Sequence, residues 1–425
     1  MAAPHHRASS VLERLLNEGS VEEYAYRLAP KSHAFARIPR EPHITAETVE
    51  ARWQALAAPG ERRERLLDAQ TRAQMEAYQR NIENFIGTVK LPVGIAGPLR
   101  VNGLHAQGDY VVPLATTEAA LVASYSRGSQ LITRAGGCTA LLLNEGVSRA
   151  PGFAFRDLIE AGRFVSWVLS QMDAFRAAAA TTTRHGRLLD LRVTVEGNHV
   201  YLGFDYATGD AAGQNMVTIA TEAVCRYILE HTPVEPQYSF VEANLSGDKK
   251  ASALSFLSVR GKKVTAEVHL PAELVKAGLH TTPEQMVNYW RMSAMGGVLS
   301  GTVGVQGHYA NGLAALYIAC GQDAACVAES AVGVTRFELT GDGDLYAAVT
   351  LPNLIVGTVG GGTGLPSQRA CLELLGLAGP GHAQALAEIC AALALAGELS
   401  IIGALAAGHF ARAHQQLARG SGKDA

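Results

Sequence analysis

Residues 389–408, ICAALALAGELSIIGALAAG, form the stretch on which the fold turns. The run approaches the length needed to cross a hydrocarbon core. Its composition argues for a different place. Alanine and glycine dominate it, and Glu398 and Ser400 interrupt it. Small side chains let neighbouring helices pack at close range, so the expectation is a helix buried at the centre of a domain and wrapped by sheet and other helices. A second tract rich in small residues, 295–330, points to the same kind of helical core.

The rest of the chain is consistent with an ordinary globular protein. At 425 residues it exceeds the usual single-domain length, and 48% apolar against 18% charged residues leaves ample material for a core. A net charge of −3 with no long basic block argues against a general nucleic-acid binder. Six cysteines stand scattered, mostly in apolar runs and without C-x-x-C spacing, which suits free thiols in a reducing compartment and no zinc site. The N-terminus lacks the apolar core of a signal peptide. A soluble, cytoplasmic protein with no membrane partner and no metal is therefore expected.

Composition and periodicity divide the chain. Residues 1–87 are charged and helix-prone, with apolar residues at helical spacing in 47–56 and 61–85, and are expected to form a helical arm. Residues 151–240 read as helix, strand, strand, helix: 155–180 as one amphipathic helix, 187–197 and 198–209 as strands meeting in a hairpin at Gly197-Asn198, and 213–232 as a second helix. That pattern predicts a small ferredoxin-like α+β domain inserted into a larger one formed by 88–150 and 241–425. In the larger part, 251–261 and 262–271 read as strands. The fold class expected is α+β.

Several stretches carry groups capable of chemistry. Thr116-Thr117-Glu118 reads either as a helix start with a favourable acid or as a carboxyl acid with a raised pKa. Asp248-Lys249-Lys250 is either a solvated turn or a lysine held near an acid to stabilise an oxyanion. Asp323 stands in a run so apolar that it requires a partner, for which Lys249 and Lys250 are the candidates. His409, near a helix C-terminus, is either structural or a proton donor titrating near neutrality. In the small domain, the strand–loop–helix junction Asp210 to Met216 is either a plain polar loop or a pyrophosphate site whose acid binds a ribose hydroxyl, and Arg184, His185 and Arg187 are either a plain polar loop or a compact anion cradle. The loop 357–368, GTVGGGTGLPSQ, matches neither the dinucleotide-binding glycine pattern nor Walker A.

Taken together these stretches resemble one family, the 3-hydroxy-3-methylglutaryl-coenzyme A (HMG-CoA) reductases, in the class that includes the catalytic domain of the eukaryotic enzymes (class I). The matching motifs are ENFIG, LPVGIAGPL, VPLATTEAALVAS, GDAAGQNM, GDKK, YIACGQDAA, GTVGGGTGLPSQRACLELLG and AGELSIIGALAAGH, in family order from Glu83 to His409. The short tail after His409 fits class I, because the longer C-terminal flap of the other class is not expected.

The resemblance implies an NADPH-dependent oxidoreductase of the mevalonate pathway of isoprenoid biosynthesis, which reduces HMG-CoA in two steps to mevalonate and coenzyme A. It assigns catalysis to Glu118, Lys249, Asp323 and His409, with Asp323 between Glu118 and Lys249. It places the cofactor against Arg184, Asp210, Ala212, Gly213, Gln214, Asn215, Met216, Gly360, Gly361 and His414, and Arg184 favours NADPH over NADH. Substrate contacts fall on Ser124, Arg127, Arg149, Asp248, Lys250 and Asn311. Glu242 stands where the family has a serine that helps hold HMG, and Gln130 where some members have an arginine. The glycine loop becomes a backbone wall beside the nicotinamide, with Gly361 the position where a side chain would obstruct it. A homo-oligomer with its active site at a dimer interface is implied as well. Two other readings stand beside this one: an NADH-preferring enzyme run towards mevalonate oxidation, and a non-catalytic paralogue binding CoA or nucleotide.

Overall fold

The computed structural model describes residues 5–32, 37–56 and 60–408. They fall into two compact units. The first holds the described residues up to Met75 together with Glu83–Thr88. It is helical, with helices His5–Glu18, Val21–Leu28, Ala46–Leu56, Gly60–Leu66 and Ala69–Ala73. Arg52 is buried and donates to the carbonyls of Pro39, Glu41 and Phe85 at 3.2, 2.8 and 3.2 Å. Three backbone acceptors offset the desolvation of that guanidinium.

The second unit holds Glu76–Ile82 and the described residues from Val89 onward. Ten strands run through it: β1 (Val93–Gly103), β2 (Gln107–Ala115), β3 (Cys138–Arg149), β4 (Gly152–Ala154), β5 (Arg187–Glu196), β6 (His199–Ala207), β7 (Tyr238–Phe240), β8 (Gly261–Leu270), β9 (Val334–Leu339) and β10 (Leu345–Leu354). The main path of the sheet is β7-β4-β6-β3-β8-β10-β9, with β1 and β2 paired beside β3, and β5 beside β6. All pairings are antiparallel except β1 with β3. The protein is thus a mixed α/β fold on a largely antiparallel sheet. β3 couples the two halves: Thr139–Gly146 pair with β8 and Val147–Arg149 with β6.

Each half has its own apolar cluster. The larger surrounds the helix Ala383–Ala406, which is buried along almost all its length. By length and composition that helix would cross a membrane; here it is packed inside the protein. Small residues make this packing possible. A Cβ on Gly128 would overlap the Ala396 carbonyl, and one on Gly403 would lie 2.9 Å from Leu279 Cδ1. The two glutamates of the helix are spent on backbone amides. Glu388 accepts from His105 and Ala106 at 2.9 and 2.8 Å, and Glu398 from Gly307 and His308 at 2.9 and 2.8 Å. Their charges are therefore met by aligned donors, which makes full burial tolerable.

The smaller cluster is built on aromatic residues, among them Phe153, Phe164, Phe175 and Phe204. The hairpin forms where the pattern placed it, with Glu196 opposite His199 and Gly197 at φ 56°. Two local expectations fail. Residues 155–180 form two helices, Leu158–Val168 and Met172–Ala180, not one. The break at Leu169–Gln171 turns Phe164 and Phe175 into one cluster on either side of Trp167, which a single straight helix does not do. Residues 251–257 are not a strand: Leu254–Leu257 is a helical turn, its first amide held by Ser252 Oγ at 3.2 Å. Serine competes for local backbone in this way, and the apolar pattern alone does not register it.

Candidate active site

The lysine loop, Gly247–Lys250, is set by backbone as much as by side chains. Gly247 and Lys249 have φ of 75° and 56°, and Lys250 N donates to Gly247 O at 3.1 Å. The Lys249 ammonium meets Asp323 Oδ2 at 2.7 Å. This settles the partner that the apolar run demanded: Lys249, not Lys250, whose Nζ donates to Asp248 O at 2.9 Å. Asp323 itself is 40% exposed, because it caps the short helix Ala324–Cys326 from the surface, accepting from Ala325 N at 3.0 Å. The hydrogen bond that Lys249 donates to Asp323 holds the Lys249 pKa above its ordinary value, so the ammonium stays charged through the neutral range.

Asp248 and Arg149 sit behind the loop. Arg149 Nη1 donates to Asp248 Oδ2 at 2.7 Å and Arg149 Nε to Thr218 Oγ1 at 2.8 Å. Arg260, a residue the pattern did not single out, donates to Asp248 Oδ1 at 2.8 Å. Burial pulls the Asp248 carboxyl upward, but Arg260 and Arg149 outweigh it and leave the pKa below the usual carboxylate value. Arg149 is thus engaged inside the protein, and so is Glu242, which accepts from Ala150 and Asn244 amides at 3.2 and 2.8 Å.

A cleft of about 560 Å³ adjoins this pair. Ala212, Gly213, Gln214, Asn215 and Met216 line one side, at the N-terminus of the eighteen-residue helix Gln214–His231; Gly357 and Gly360–Gly362 line the other, with Asp323 at the junction. Free amides at a helix start favour an anionic group there. The two walls are joined by backbone: Thr358 N donates to Asp210 O at 2.8 Å and Ala211 bridges Val359. Gln322 staples the glycine loop to the Asp323 turn, accepting from Gly357 N at 2.8 Å and donating to Gly357 O at 2.9 Å.

The glycines divide by cause. A Cβ on Gly357 would press on Ala212 N and lie 2.7 Å from Asp210 O, and one on Gly362 would lie 2.7 Å from Gly321 O. Gly360 and Gly361, at φ 74° and 53°, face open space. Protein backbone therefore excludes a side chain at Gly357 and Gly362, whereas at Gly361 no protein atom stands in the way and the positive φ is what favours glycine within the chain itself. Asp210 also differs from expectation. Its carboxylate accepts from Gly381 and Ala383 amides at 2.7 and 3.2 Å, so it anchors the loop to the start of the buried helix and does not line the cleft. Gln214 offers the cleft its backbone, while its side chain accepts from Arg260 at 2.6 Å. Arg184 is exposed on a turn led by Thr183, whose hydroxyl lies 3.0 Å from Met216 Sδ at the edge of the cleft.

A second cavity, of about 400 Å³, gathers Glu118, Ser124, Arg127 and Asn311. Asn311 Nδ2 donates to Glu118 Oε1 at 3.3 Å. Ser124 and Arg127 reach Ser400 of the buried helix, with Oγ–Oγ at 2.8 Å and Nη2–Oγ at 2.8 Å. Within one chain Glu118 thus lies in a different cavity from the Lys249–Asp323 pair, so the expected order with Asp323 between Glu118 and Lys249 is not what a single chain presents. His409 and His414 lie outside the described residues.

Fold and site together define a protein of mixed α/β architecture with a lysine–aspartate pair at the mouth of a glycine-walled cleft. Residues 48–419 match the family model for hydroxymethylglutaryl-coenzyme A reductase. The 3-hydroxy-3-methylglutaryl-coenzyme A reductase of Methanothermobacter thermautotrophicus is 47% identical, over 81% of this chain and 86% of the relative. That of Aeropyrum pernix is also 47% identical, over 81% of this chain and 83% of the relative. Among solved structures, the class II enzyme of Streptococcus pneumoniae bound to NADPH shares the fold, with a TM-score of 0.63 and 22% identity over 83% of this chain and 99% of that one. The chain belongs to the hydroxymethylglutaryl-coenzyme A reductase family.

Proposed function

We propose that this protein reduces the thioester of HMG-CoA to mevalonate and free coenzyme A, consuming two NADPH and two protons. The observation that carries the reading is the Lys249–Asp323 pair, 2.7 Å apart at the edge of the glycine-walled cleft. NADPH, when bound, supplies the hydride of each step. The cleft fits such a group: amides of the helix Gln214–His231 face it, and the open side of Gly360 and Gly361 leaves room for a flat ring. Lys249 stabilises the oxyanion formed as the thioester carbonyl is reduced. His409 protonates the departing thiolate, and Glu118 protonates the aldehyde oxygen in the second reduction. Asp323 keeps Lys249 charged and aimed.

The same reading covers the finer assignments. The enzyme is of class I and works as a homodimer or larger assembly, in which the Glu118 cavity of one copy meets the lysine loop of another; the separation of these groups within one chain supports this. Six free, buried cysteines support a cytoplasmic location. Residues 151–240 act as the cofactor domain and residues 1–87 as a helical arm. The direct test follows NADPH absorbance after adding HMG-CoA; well-folded protein that oxidises none defeats the enzyme reading.

Two residue-level results follow. Arg184→Gln raises the KM for NADPH about tenfold, the loss of one charge-assisted contact to the 2′-phosphate, and leaves the KM for NADH unchanged. Parallel changes for both nucleotides would remove Arg184 from the 2′-phosphate. His409→Gln impairs thioester reduction far more than reduction of added mevaldehyde, because only the first releases a thiolate. Equal losses in both reactions, or the selective loss appearing in His414→Gln instead, would reject the assignment to His409.

A further inference from the structure

Three loops of the site converge on one buried ion pair that touches neither cavity. Arg260, 2% exposed, immediately precedes β8, and Glu329, fully buried, lies in the short helix Val327–Ser330. Arg260 Nη1 donates to both oxygens of Glu329, at 2.6 Å to Oε1. Three hydrogen bonds lead outward from the pair. Arg260 Nη2 donates to Asp248 Oδ1 at 2.8 Å and to Gln214 Oε1 at 2.6 Å. Glu329 Oε1 accepts from the backbone N–H of Lys249 at 3.1 Å. The pair is itself seated on the sheet, for Arg260 N donates to Asn353 Oδ1 at 2.9 Å.

The geometry at Lys249 explains why such a frame is needed. Its φ of 56° is a left-handed conformation that a lysine adopts at a cost, and it persists only where the surroundings over-determine it. Glu329 supplies the acceptor for the amide of that residue, and Arg260 fixes the side chain just before it. As a source of stability the pair is a poor choice, because apolar residues of similar volume often serve equally well in a buried site. What two charges add is direction.

We infer that Arg260 and Glu329 are positioning residues: they set the turn at Lys249 so that its ammonium meets Asp323, and tie that turn to the first turn of the helix walling the cleft. The kinetic side of the inference rests on the reductase reading; the structural side does not.

The test uses the full-length protein with Glu329→Gln and with the paired Arg260→Met/Glu329→Leu variant. The pair removes both charges together and keeps the fold if the single change does not. Acylation of Lys249 by an amine reagent, followed by mass spectrometry against exposed Lys276, reports the turn without assuming any reaction. The paired variant is expected to melt near the parent temperature and to label Lys249 about fivefold faster, since an amine released from its carboxylate is freer to react. With HMG-CoA its kcat falls about thirtyfold or more while the KM for NADPH changes less than about threefold, the signature of a lost transition-state contact. In a Lys249→Ala background Glu329→Gln has no further effect, because both then act on the same interaction. Parent-like labelling and kcat in a folded variant would overturn the inference, as would losses that add in full in that background. If the parent itself does not turn over HMG-CoA, the reductase reading falls, and the labelling rates still decide the role of the pair.

Discussion

Lys249→Ala is expected to lower kcat for HMG-CoA reduction by about 10²–10³-fold, the range seen when one donor to a developing oxyanion is removed. The folded protein should survive the change. Lys249 is a side chain 41% exposed on a loop, and its removal leaves Asp323 a solvated carboxylate that still caps the helix Ala324–Cys326. Affinity for NADPH should stay near that of the parent, because the cleft is walled by the helix Gln214–His231 and the glycine loop, and Lys249 is not among its lining residues. The shared-site reading adds a second result. Glu118→Gln is also inactive, yet mixing it with Lys249→Ala regains activity, since some dimers then carry one intact site. A Lys249→Ala enzyme with more than about a tenth of the parent kcat would remove the lysine from the chemistry. Failure of the mixture to recover would place both residues in the site of one chain.

Gly357→Ala is the second large effect, and steric in origin. The added Cβ would meet Ala212 N and Asp210 O, backbone atoms of the facing wall that have no side-chain freedom to yield. Relief requires the two walls to part, breaking the Thr358–Asp210 hydrogen bond and the Ala211–Val359 bridge. Overpacking of this kind costs about 1–3 kcal/mol, so NADPH should bind about ten- to a hundredfold more weakly. Gly364→Ala is the matched control. Its Cβ meets no protein atom, its backbone is not left-handed, and it does not line the cleft. Titration of NADPH by fluorescence measures both. If Gly357→Ala binds as the parent does, or Gly364→Ala is the more damaged, the wall is not built as described.

Much of the site was legible along the chain because its parts are local. The motifs around Glu118, Lys249 and Asp323 are short, and the apolar run around Asp323 pointed to a cation partner, although the carboxylate stands at the surface and burial does not force the pairing. The hairpin at Gly197-Asn198 was equally local, a matter of turn residues between alternating strands. What escaped were residues whose function lies in distant partners. Arg260 fell inside the stretch 251–261 that reads as a strand, and Glu329 near the end of the small-residue tract 295–330. Their contact joins positions 69 apart in the chain. Asp210 fitted a ribose contact in its loop, but the start of the helix Ala383–Ala406 passes close enough to take both of its oxygens.

The amino-acid sequence by itself therefore determined the family, the chemical types at the reacting centre and the burial of the helix 383–406. These depend on short motifs and on composition, which act over one turn or one strand. Only the tertiary structure decided which lysine pairs with Asp323, which glycine the facing wall excludes from carrying a side chain, and that a buried arginine–glutamate pair frames the lysine turn. Such choices depend on which donors and acceptors the packed elements bring within about 3 Å, and hydrogen bonds are not made much beyond that distance.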